Sequence, residues 1–267
     1  MPGNTKALRV RIKSVSSTLQ LTKAMELVAS SKIRRANESM QKGREYASAL
    51  ENTISLLQSQ RDCGESPYMK KHGTGKTRIV IIAGDRGLAG GYNANVFRLA
   101  REYADAEFIP IGKRPCEKYS EDIVSSEHFS FSDAYALAEK LCEDFKAGEF
   151  DRLGVIYTKY VSVITQEASV KWLLPFERSE KEDTAAAVFE PDCLTVLNNI
   201  AKEYVAGMIT VLARESFASE VAARRMAMDS AGKNAREMID SLQLEYNRAR
   251  QGAITQEITE IVAGSGI

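Results

Sequence analysis

The feature that most constrains the fold of this chain is a proline-free run that extends from Asp192 to the C-terminus. Pro191 is the last proline, and the run after it is rich in Ala, Met, Leu, Glu, Arg and Gln, which all favour helices. The part from Tyr204 to Gly264 alone would form a helix on the order of 90 Å long, at about 1.5 Å per residue. Such a helix is too long for the interior of one small globule, so the run predicts a partner helix or a surrounding sleeve.

A seven-residue repeat of apolar side chains runs through this segment. Its members are Val221, Met228, Ala235, Leu242 and Ala249. Ala231 and Met238 follow two of them by three residues, which is the a/d spacing of a coiled coil. The pattern predicts a helix whose inner seam includes Ala231 and Met238, with a bend further upstream at Gly207.

The first 60 residues predict a second very long helix. From Asn4 to Gln60 the chain has no proline and one glycine, Gly43. Apolar side chains at helical spacing are Val15, Met25, Val28, Ile33, Met40, Ala47, Leu50, Ile54 and Leu57. Small or hydroxyl residues lie among them at Thr18, Thr22, Ala29 and Ala36. Because such a seam buries little apolar area, we expect the helix pair to need support from outside.

Charge and hydropathy exclude several classes of protein. Thirty-six basic and 36 acidic residues give a net charge of +0, which argues against a general nucleic-acid binder. The N-terminal helix is locally basic and could attract acidic surfaces at long range, although a solvated helix face explains its charges equally well. No apolar run approaches the roughly 20 residues that span a bilayer. The N-terminus lacks the apolar core of a signal peptide, which predicts that the chain stays where it is synthesised.

The four cysteines do not form a recognisable motif. Cys63, Cys116, Cys142 and Cys193 are scattered, and none belongs to a CxxC pair. This spacing favours free thiols over disulfides or a zinc site.

The middle of the chain alternates between strand and helix patterns. Strands are predicted at 78–83, 108–111, 153–160 and 167–174. Helices are predicted after GDRGLAGGYNANV up to about residue 104, at 113–120 and at 133–146. Elements of these lengths in this order are typical of an α/β domain with a partly parallel sheet. Segment 63–76 has four Gly or Pro residues and is predicted to be a loop or disordered linker.

The predicted fold is therefore an α/β protein in which the N- and C-terminal helices form a long antiparallel coiled coil with an inserted Rossmann-like α/β domain. Its boundaries are 1–62 for the N-terminal helix, 63–76 for the linker, 77–191 for the inserted domain and 192–267 for the C-terminal helix.

Two glycine-containing segments raise the possibility of nucleotide binding. HGTGKT resembles the end of a phosphate-binding loop, but Lys70 stands where the first glycine of GxxxxGK[ST] belongs. GDRGLAGG follows the first strand, yet Gly84, Gly87 and Gly90 do not form GxGxxG. The histidines, His72 and His128, lack triad partners at any recognisable spacing. The residues thus predict no catalytic, cofactor or metal site, and a nucleotide-binding domain on a coiled-coil scaffold is kept as the alternative.

Three separated segments carry a resemblance to a known family. They are ALRVRIKSVSSTLQLTKAMELVASSKIRRA, GDRGLAGGYNANV and MAMDSAGKNAREMIDSLQLEYNRARQGAITQEITEIVAG. In this order, and over essentially the whole chain, they resemble the gamma subunit family of F-type ATP synthases. The resemblance implies a left-handed antiparallel coiled coil carrying a Rossmann-like domain. It also implies the central shaft of a rotary motor, without catalytic residues of its own.

The resemblance also implies which residues contact other subunits. Met25, in TKAMELV, matches a position near the neck of the shaft that faces the beta subunit. Arg250, Gln251 and Thr255 match positions of the C-terminal helix that contact alpha or beta subunits. Segment 248–264 matches the tip that an apolar sleeve of alpha and beta subunits holds.

An apolar stripe at this tip agrees with the resemblance. It consists of Ile254, Ile258, Ile261 and Val262. At the end of the chain these side chains have no core to join, so an external bearing explains them better than a core does. A general coiled-coil tether, the third hypothesis, predicts polar helices without such a stripe.

The implied partners are three alpha and three beta subunits, an epsilon subunit and the membrane ring of c subunits. The implied location is peripheral, at the cytoplasmic face of the bacterial cell membrane, with no cofactor and no nucleic acid. Ala89, Gly232 and Gly252 depart from the cysteine, threonine and alanine common in relatives. The chain also lacks the cysteine-bearing insert of chloroplast relatives, which favours the bacterial type.

Overall fold

The computed structural model describes residues 2–119, 121–122, 124–177 and 189–264. Two long helices, α1 (Pro2–Ser59) and α5 (Cys193–Gly264), enclose a mixed α/β region in sequence. The strands are β1 (Thr77–Ile82), β2 (Glu107–Ile111), β3 (Arg152–Tyr160) and β4 (Gln166–Leu174). The helices between them are α2 (Tyr92–Ala100), α3 (Lys113–Tyr119) and α4 (Phe131–Lys146). Each predicted element is confirmed, with ends that differ by a few residues.

The contacts divide the chain into two units, and each long helix contributes to both. One unit consists of Met1–Ala29 with Arg225–Ile267, and the other of Ser30–Arg224.

The first unit is an antiparallel helical pair. The Arg9 guanidinium donates to the Tyr246 hydroxyl at 2.7 Å and lies 5.6 Å from the centre of that ring. Further along, Gly232 faces the Thr22 hydroxyl. Because the pairing partner on α5 moves back as the position on α1 advances, the two helices run in opposite directions, as the sequence predicted.

The seam of α5 in this unit differs from the prediction in one respect. Met228, Ala235 and Leu242 are buried as expected, but Met238 is 47% exposed. The buried residue that follows Met228 is Gly232, four positions on and not three. Neighbouring small or apolar residues, Ala231 beside Gly232 in particular, leave both a three- and a four-residue step open in the sequence. Only the partner helix decides between them.

The second unit is built on a four-stranded sheet of order β2-β1-β3-β4. β1 is parallel to both β2 and β3, and β3 pairs with β4 in antiparallel fashion. Val80 and Ile82 of β1 join the larger core with α4 and both long helices, while Ile79 and Ile81 join a smaller core with α2. Burial on both faces explains why β1 reads as an unbroken apolar run.

Gly207, where a bend was predicted, lies within α5, which is assigned as one helix from Cys193 to Gly264. A side chain at this position would come within 2.5 Å of Leu50 on α1. Close approach of the two helices therefore accounts for the glycine at this position.

The predicted linker is ordered in the part next to α1. It contains two 3-10 turns, Arg61–Glu65 and Pro67–Met69. Tyr68 is fully buried, and its ring stacks on Phe145 with centroids 6.1 Å apart. The segment thus closes one side of the larger core.

The prediction of free thiols is wrong for two of the four cysteines. Cys63, just after α1, forms a disulfide with Cys193 at the start of α5, 130 residues further along the chain. Spacing in the sequence gives no sign of this pair, because the fold alone brings the end of α1 beside the start of α5. Cys116 and Cys142 are free, as predicted, and both are buried.

Candidate functional site

The turn between β1 and α2, Gly84–Gly91, is held by many hydrogen bonds. It is held from within by Asn93, whose side-chain oxygen accepts from the Gly84 N–H at 2.9 Å. The amide nitrogen of the same side chain donates to the Arg86 carbonyl at 3.3 Å. Leu88 has a φ of +62° and is 60% exposed, a backbone conformation that a leucine rarely adopts.

Asp85 in this turn anchors a second loop. Its carboxylate accepts from the backbone N–H groups of Lys113, Ser126 and Glu127 at 3.0, 2.9 and 3.3 Å. It also accepts from the Ser125 hydroxyl at 2.5 Å. Burial alone would raise the pKa of Asp85, but these donors outweigh it and hold the pKa below its usual value. The carboxylate is therefore committed to structure and is not available as a base.

The loop that Asp85 anchors also reaches α1. Glu127 forms an ion pair with Lys32 at 2.5 Å. The hydrogen bond from Lys32 lowers the pKa of Glu127.

On its inner side the turn meets polar side chains of α5, which we call the polar stripe. They are Glu215, Ser216, Ser219, Glu220 and Arg224. The first four are at most 6% exposed. Their spacing of three and four residues places them along one face of the helix. Buried polar groups on a helix are uncommon unless they are bonded, and each of these is.

Glu220 and Arg224 cover the turn itself. Arg224 pairs with Glu220 and donates to the Gly87 carbonyl at 3.3 Å. A side chain at Gly84 would lie 2.8 Å from the carboxyl carbon of Glu220. The Glu220 carboxylate therefore fills the space directly beside Gly84.

The remaining members of the stripe hold the end of β3. The Ser216 hydroxyl accepts from the Thr158 N–H, and the Ser219 hydroxyl donates to the Thr158 carbonyl, both at 3.0 Å. Glu215 accepts from the Tyr160 N–H at 3.0 Å and from Arg44 of α1 at 2.7 Å. The polar stripe therefore connects the carboxyl ends of β1 and β3 to the long helices.

The second glycine-containing segment, HGTGKT, surrounds an anion that the chain supplies itself. The carboxylate of Asp151 accepts from the backbone N–H groups of His72 at 2.9 Å and Gly75 at 2.5 Å. Burial opposes ionisation, yet the N–H groups of residues 72–75 lower the pKa of Asp151. Successive N–H groups of this kind form an anion nest, and here it is already occupied.

The residues predicted to contact other subunits lie in the first unit. Arg250, Gln251, Ile254, Thr255 and Ile258 are all exposed on the last turns of α5. The stripe that includes the two isoleucines is 46–70% exposed.

Met25 is half-buried on α1. It lies near Thr22, which faces Gly232, and Gly232 precedes Arg250 by about 27 Å along α5. The structure does not bring Met25 together with the residues at the end of α5.

Among the residues that the structure describes, no cluster of His, Cys, Asp or Glu side chains could hold a metal ion. None of the helices traced in the ranges given above combines the length and apolar character that crossing a membrane requires.

Residues 4–266 match the family described as ATP synthase. The ATP synthase gamma chain of Ruminococcus albus is 40% identical over 281 residues, which cover 98% of both chains. The sodium-ion-specific ATP synthase gamma chain of Acetobacterium woodii is 37% identical over 298 residues, which cover 99% of both.

Two solved structures share the fold. A chain from the central stalk and c-ring structure of the Tetrahymena thermophila mitochondrial ATP synthase is 25% identical, with a TM-score of 0.63, over 79% of this chain and 99% of that one. A chain of the Euglena gracilis mitochondrial ATP synthase is 20% identical, with a TM-score of 0.71, over 100% and 97%. The paired long helices and the inserted sheet thus define a central-stalk fold.

The matches over nearly the whole length, at up to 40% identity, make the family plain. This chain belongs to the ATP synthase gamma chain family, as the three sequence segments indicated.

Proposed function

We propose that this chain is the central rotor shaft of a bacterial F-type ATP synthase. It couples ion flow through a membrane ring of c subunits to ATP synthesis or hydrolysis at beta subunits. Three alpha and three beta subunits surround it, an epsilon subunit accompanies it, and it lies peripherally at the cytoplasmic face of the membrane. The catalytic sites belong to the beta subunits.

The observation that carries this proposal is the apolar stripe at the end of α5. Ile254, Ile258, Ile261 and Val262 are 46–70% exposed on a helix end that is otherwise polar. Exposed apolar surface of this kind marks a binding surface. A sleeve of alpha and beta subunits would cover it, and the exposed Arg250, Gln251 and Thr255 would lie on the same segment.

The mechanism is mechanical. A rotating shaft presents different side chains in turn to each beta subunit. Because contacts that differ between two conformations shift the equilibrium between them, each nucleotide site passes through states of different affinity. Met25, Arg250, Gln251, Thr255, Ile254 and Ile258 are the residues for which we propose this contact role.

The test is to rebuild the complex with and without this chain. Tagged chain should co-purify with alpha and beta subunits, and vesicles that contain the full complex should make ATP when an ion gradient is applied. Gradients of H⁺ and Na⁺ are applied separately, so that the coupling ion need not be assumed. Gradient-driven synthesis at the same rate in complexes without the chain would contradict the proposal.

The alternative function is a nucleotide-binding α/β domain on a helical scaffold. Two observations speak against it: Glu220 fills the space beside Gly84, and Asp151 occupies the anion nest of HGTGKT. Calorimetry of the whole chain with ATP, ADP and NADH should give no saturable heat. A dissociation constant in the low micromolar range for any of them would favour this alternative.

A further inference from the structure

Resting on the proposed rotor function, we propose that the polar stripe of α5 is the joint that transmits torque between the sheet and the long helices. The stripe is Glu215, Ser216, Ser219, Glu220 and Arg224, and its partners are the turn after β1 and the end of β3. Its role is to keep the sheet from turning about α5 when the helix is loaded.

Two kinds of contact, apolar packing and hydrogen bonds, hold the sheet against the long helices in the second unit. The larger core packs the sheet and α4 against α1 and α5 through apolar side chains such as Val80, Leu141 and Ile209. Apolar contacts are non-directional, so they resist separation of two surfaces better than sliding. Hydrogen bonds require both distance and angle, and they therefore resist a small rotation.

The hydrogen bonds join α5 to the end of β3 and to the turn after β1. Ser216 and Ser219 hold both the N–H and the carbonyl of Thr158. Arg224 holds the carbonyl of Gly87. The Tyr92 hydroxyl, at the start of α2, donates to the Ser216 carbonyl at 3.0 Å. Because these are mostly bonds to backbone, the sheet and the turn after β1 are fixed as a frame.

Hydrogen bonds from Arg44 also join α1 to the polar stripe and to β3. Arg44 donates both to Glu215 and to the Tyr160 carbonyl, each at 2.7 Å. Glu215 thereby joins α1, α5 and the end of β3. Glu127, in the loop that Asp85 anchors, adds an ion pair with Lys32, but the lysine side chain is 40% exposed and so the pair is screened by solvent.

Burial of the polar stripe costs free energy. Taking charged and hydroxyl groups out of water is unfavourable unless every one is bonded, and a well-packed apolar stripe would serve stability as well. A buried network of hydrogen bonds fixes one arrangement of its elements. The stripe is therefore better explained by a need for one fixed orientation than by a need for stability.

The experiment uses the assembled complex in membrane vesicles, with three variants of the chain. Ser216→Ala/Ser219→Ala removes the two bonds to Thr158 with little change in shape. Glu220→Gln keeps the shape and removes the charge that faces Arg224. The control is Arg114→Ala/Glu117→Ala, which removes an exposed ion pair within α3.

The measured quantity is the number of ions transported for each ATP hydrolysed, together with the amount of complex assembled. If the stripe is the joint, both stripe variants should assemble and hydrolyse ATP, but fewer ions should be moved per ATP than in the wild type, because the sheet slips about α5 once its directional bonds are lost. The loss should grow as an opposing ion gradient is raised. The control should match the wild type.

A second measurement reports stiffness directly. A bead is attached through Glu102→Cys in the sheet-bearing unit, the alpha–beta ring is fixed, and the angular spread of the bead is recorded. Stripe variants should give a clearly broader spread than the control. Buried Cys116 and Cys142 do not compete for the label.

The outcomes distinguish a torque-transmitting joint from a merely stabilising contact and from failure of the rotor function. A proportional loss of assembly, hydrolysis and transport, with an unchanged ratio and bead spread, would assign the stripe to stability alone and overturn the proposal. Normal coupling in both variants would also overturn it, while the shaft function stands. If complexes that lack this chain synthesise ATP as fast as complexes that contain the wild-type chain, the rotor function itself is contradicted. If the serine variant does not assemble, Glu220→Gln and the bead measurement decide.

Discussion

The backbone of Gly207 on α5 lies directly against the side chain of Leu50 on α1. A Cβ atom at Gly207 would come within 2.5 Å of Leu50 Cδ1 and within 2.9 Å of the Tyr46 ring. Leu50 belongs to the larger core, so it has little freedom to move aside. The absence of a side chain at this one position allows the two long helices to approach each other.

Gly207→Ala should therefore destabilise the chain. Overpacking of a core typically costs about 1–3 kcal/mol, which exceeds the gain of about 0.5–1 kcal/mol from helix propensity. The matched control is Gly252→Ala, where nothing lies within 4 Å of the added atom; that variant should be stabilised by about 0.5–1 kcal/mol. Thermal unfolding followed by circular dichroism checks both, and stabilisation by both substitutions would contradict the close contact.

The stability that Asp85 contributes should depend on pH. Because its pKa is lower in the folded chain than in the unfolded chain, its contribution is complete above the unfolded value of about 4 and is lost as the pH falls through the folded value. Asp85→Asn removes the charge. The difference in unfolding free energy between wild type and variant should be largest at neutral pH and shrink below about pH 4. A difference that grows in acid would contradict the assignment.

Arg250→Ala/Gln251→Ala should weaken assembly or gradient-driven ATP synthesis without unfolding α5. Both side chains are exposed, and alanine has the higher helix propensity. A charge-assisted hydrogen bond shielded by a partner contributes about 1.5–3 kcal/mol. Assembly yield and synthesis rate are measured, with helicity checked by circular dichroism. Arg236→Ala/Glu237→Ala on the same helix is the control, and wild-type behaviour of the Arg250 and Gln251 variant would remove these residues from the contact surface.

Asp151→Ala should turn the HGTGKT loop into a weak site for a free anion. The substitution leaves the N–H groups of His72 and Gly75 without their acceptor, and sulfate or phosphate can replace it. Millimolar sulfate should raise the melting temperature of the variant relative to chloride at equal ionic strength, and leave the wild type unchanged. Asp105→Ala, at an exposed site, is the control. An equal response of all three proteins would mean that the nest does not bind anions.

The disulfide makes a simple count possible. Of four cysteines, two are free in the structure, so denatured chain without reductant should show two reactive thiols, and four after reduction. Cys116→Ser/Cys142→Ser should show none before reduction. Four thiols in unreduced wild-type chain would mean that the bond does not form where the chain is made, in keeping with the rarity of disulfides in reducing compartments.

Periodicity was enough to predict every main element, because helices and strands repeat their buried positions at different intervals. It was not enough for relations between elements. The step from Met228 to Gly232 depends on α1, and the Cys63–Cys193 pair depends on the whole fold. The resemblance supplied the family, while the contact roles proposed for Met25 and the end of α5 depend on partner surfaces that a single chain does not contain.

The polar stripe is visible in the sequence as a pattern, but its burial is not. Glu215, Ser216, Ser219 and Glu220 recur at helical spacing in a segment whose neighbours are mostly apolar. A polar face on such a helix reads as solvent-facing when the helix is considered alone. Its burial follows from the carboxyl ends of β1 and β3, which present unpaired backbone groups that need partners.

The bond between Cys63 and Cys193, which are 130 positions apart, also closes the chain between them into a covalent ring. A pulling force applied to the far ends of α1 and α5 would pass from one helix to the other through this bond and bypass the sheet. Unfolding the sheet inside the ring would release no length, and roughly 450 Å of chain would stay hidden from the pull at about 3.5 Å per residue. While the bond is intact, tension carried by the covalent chain along the helices does not pass through the backbone of the α/β domain.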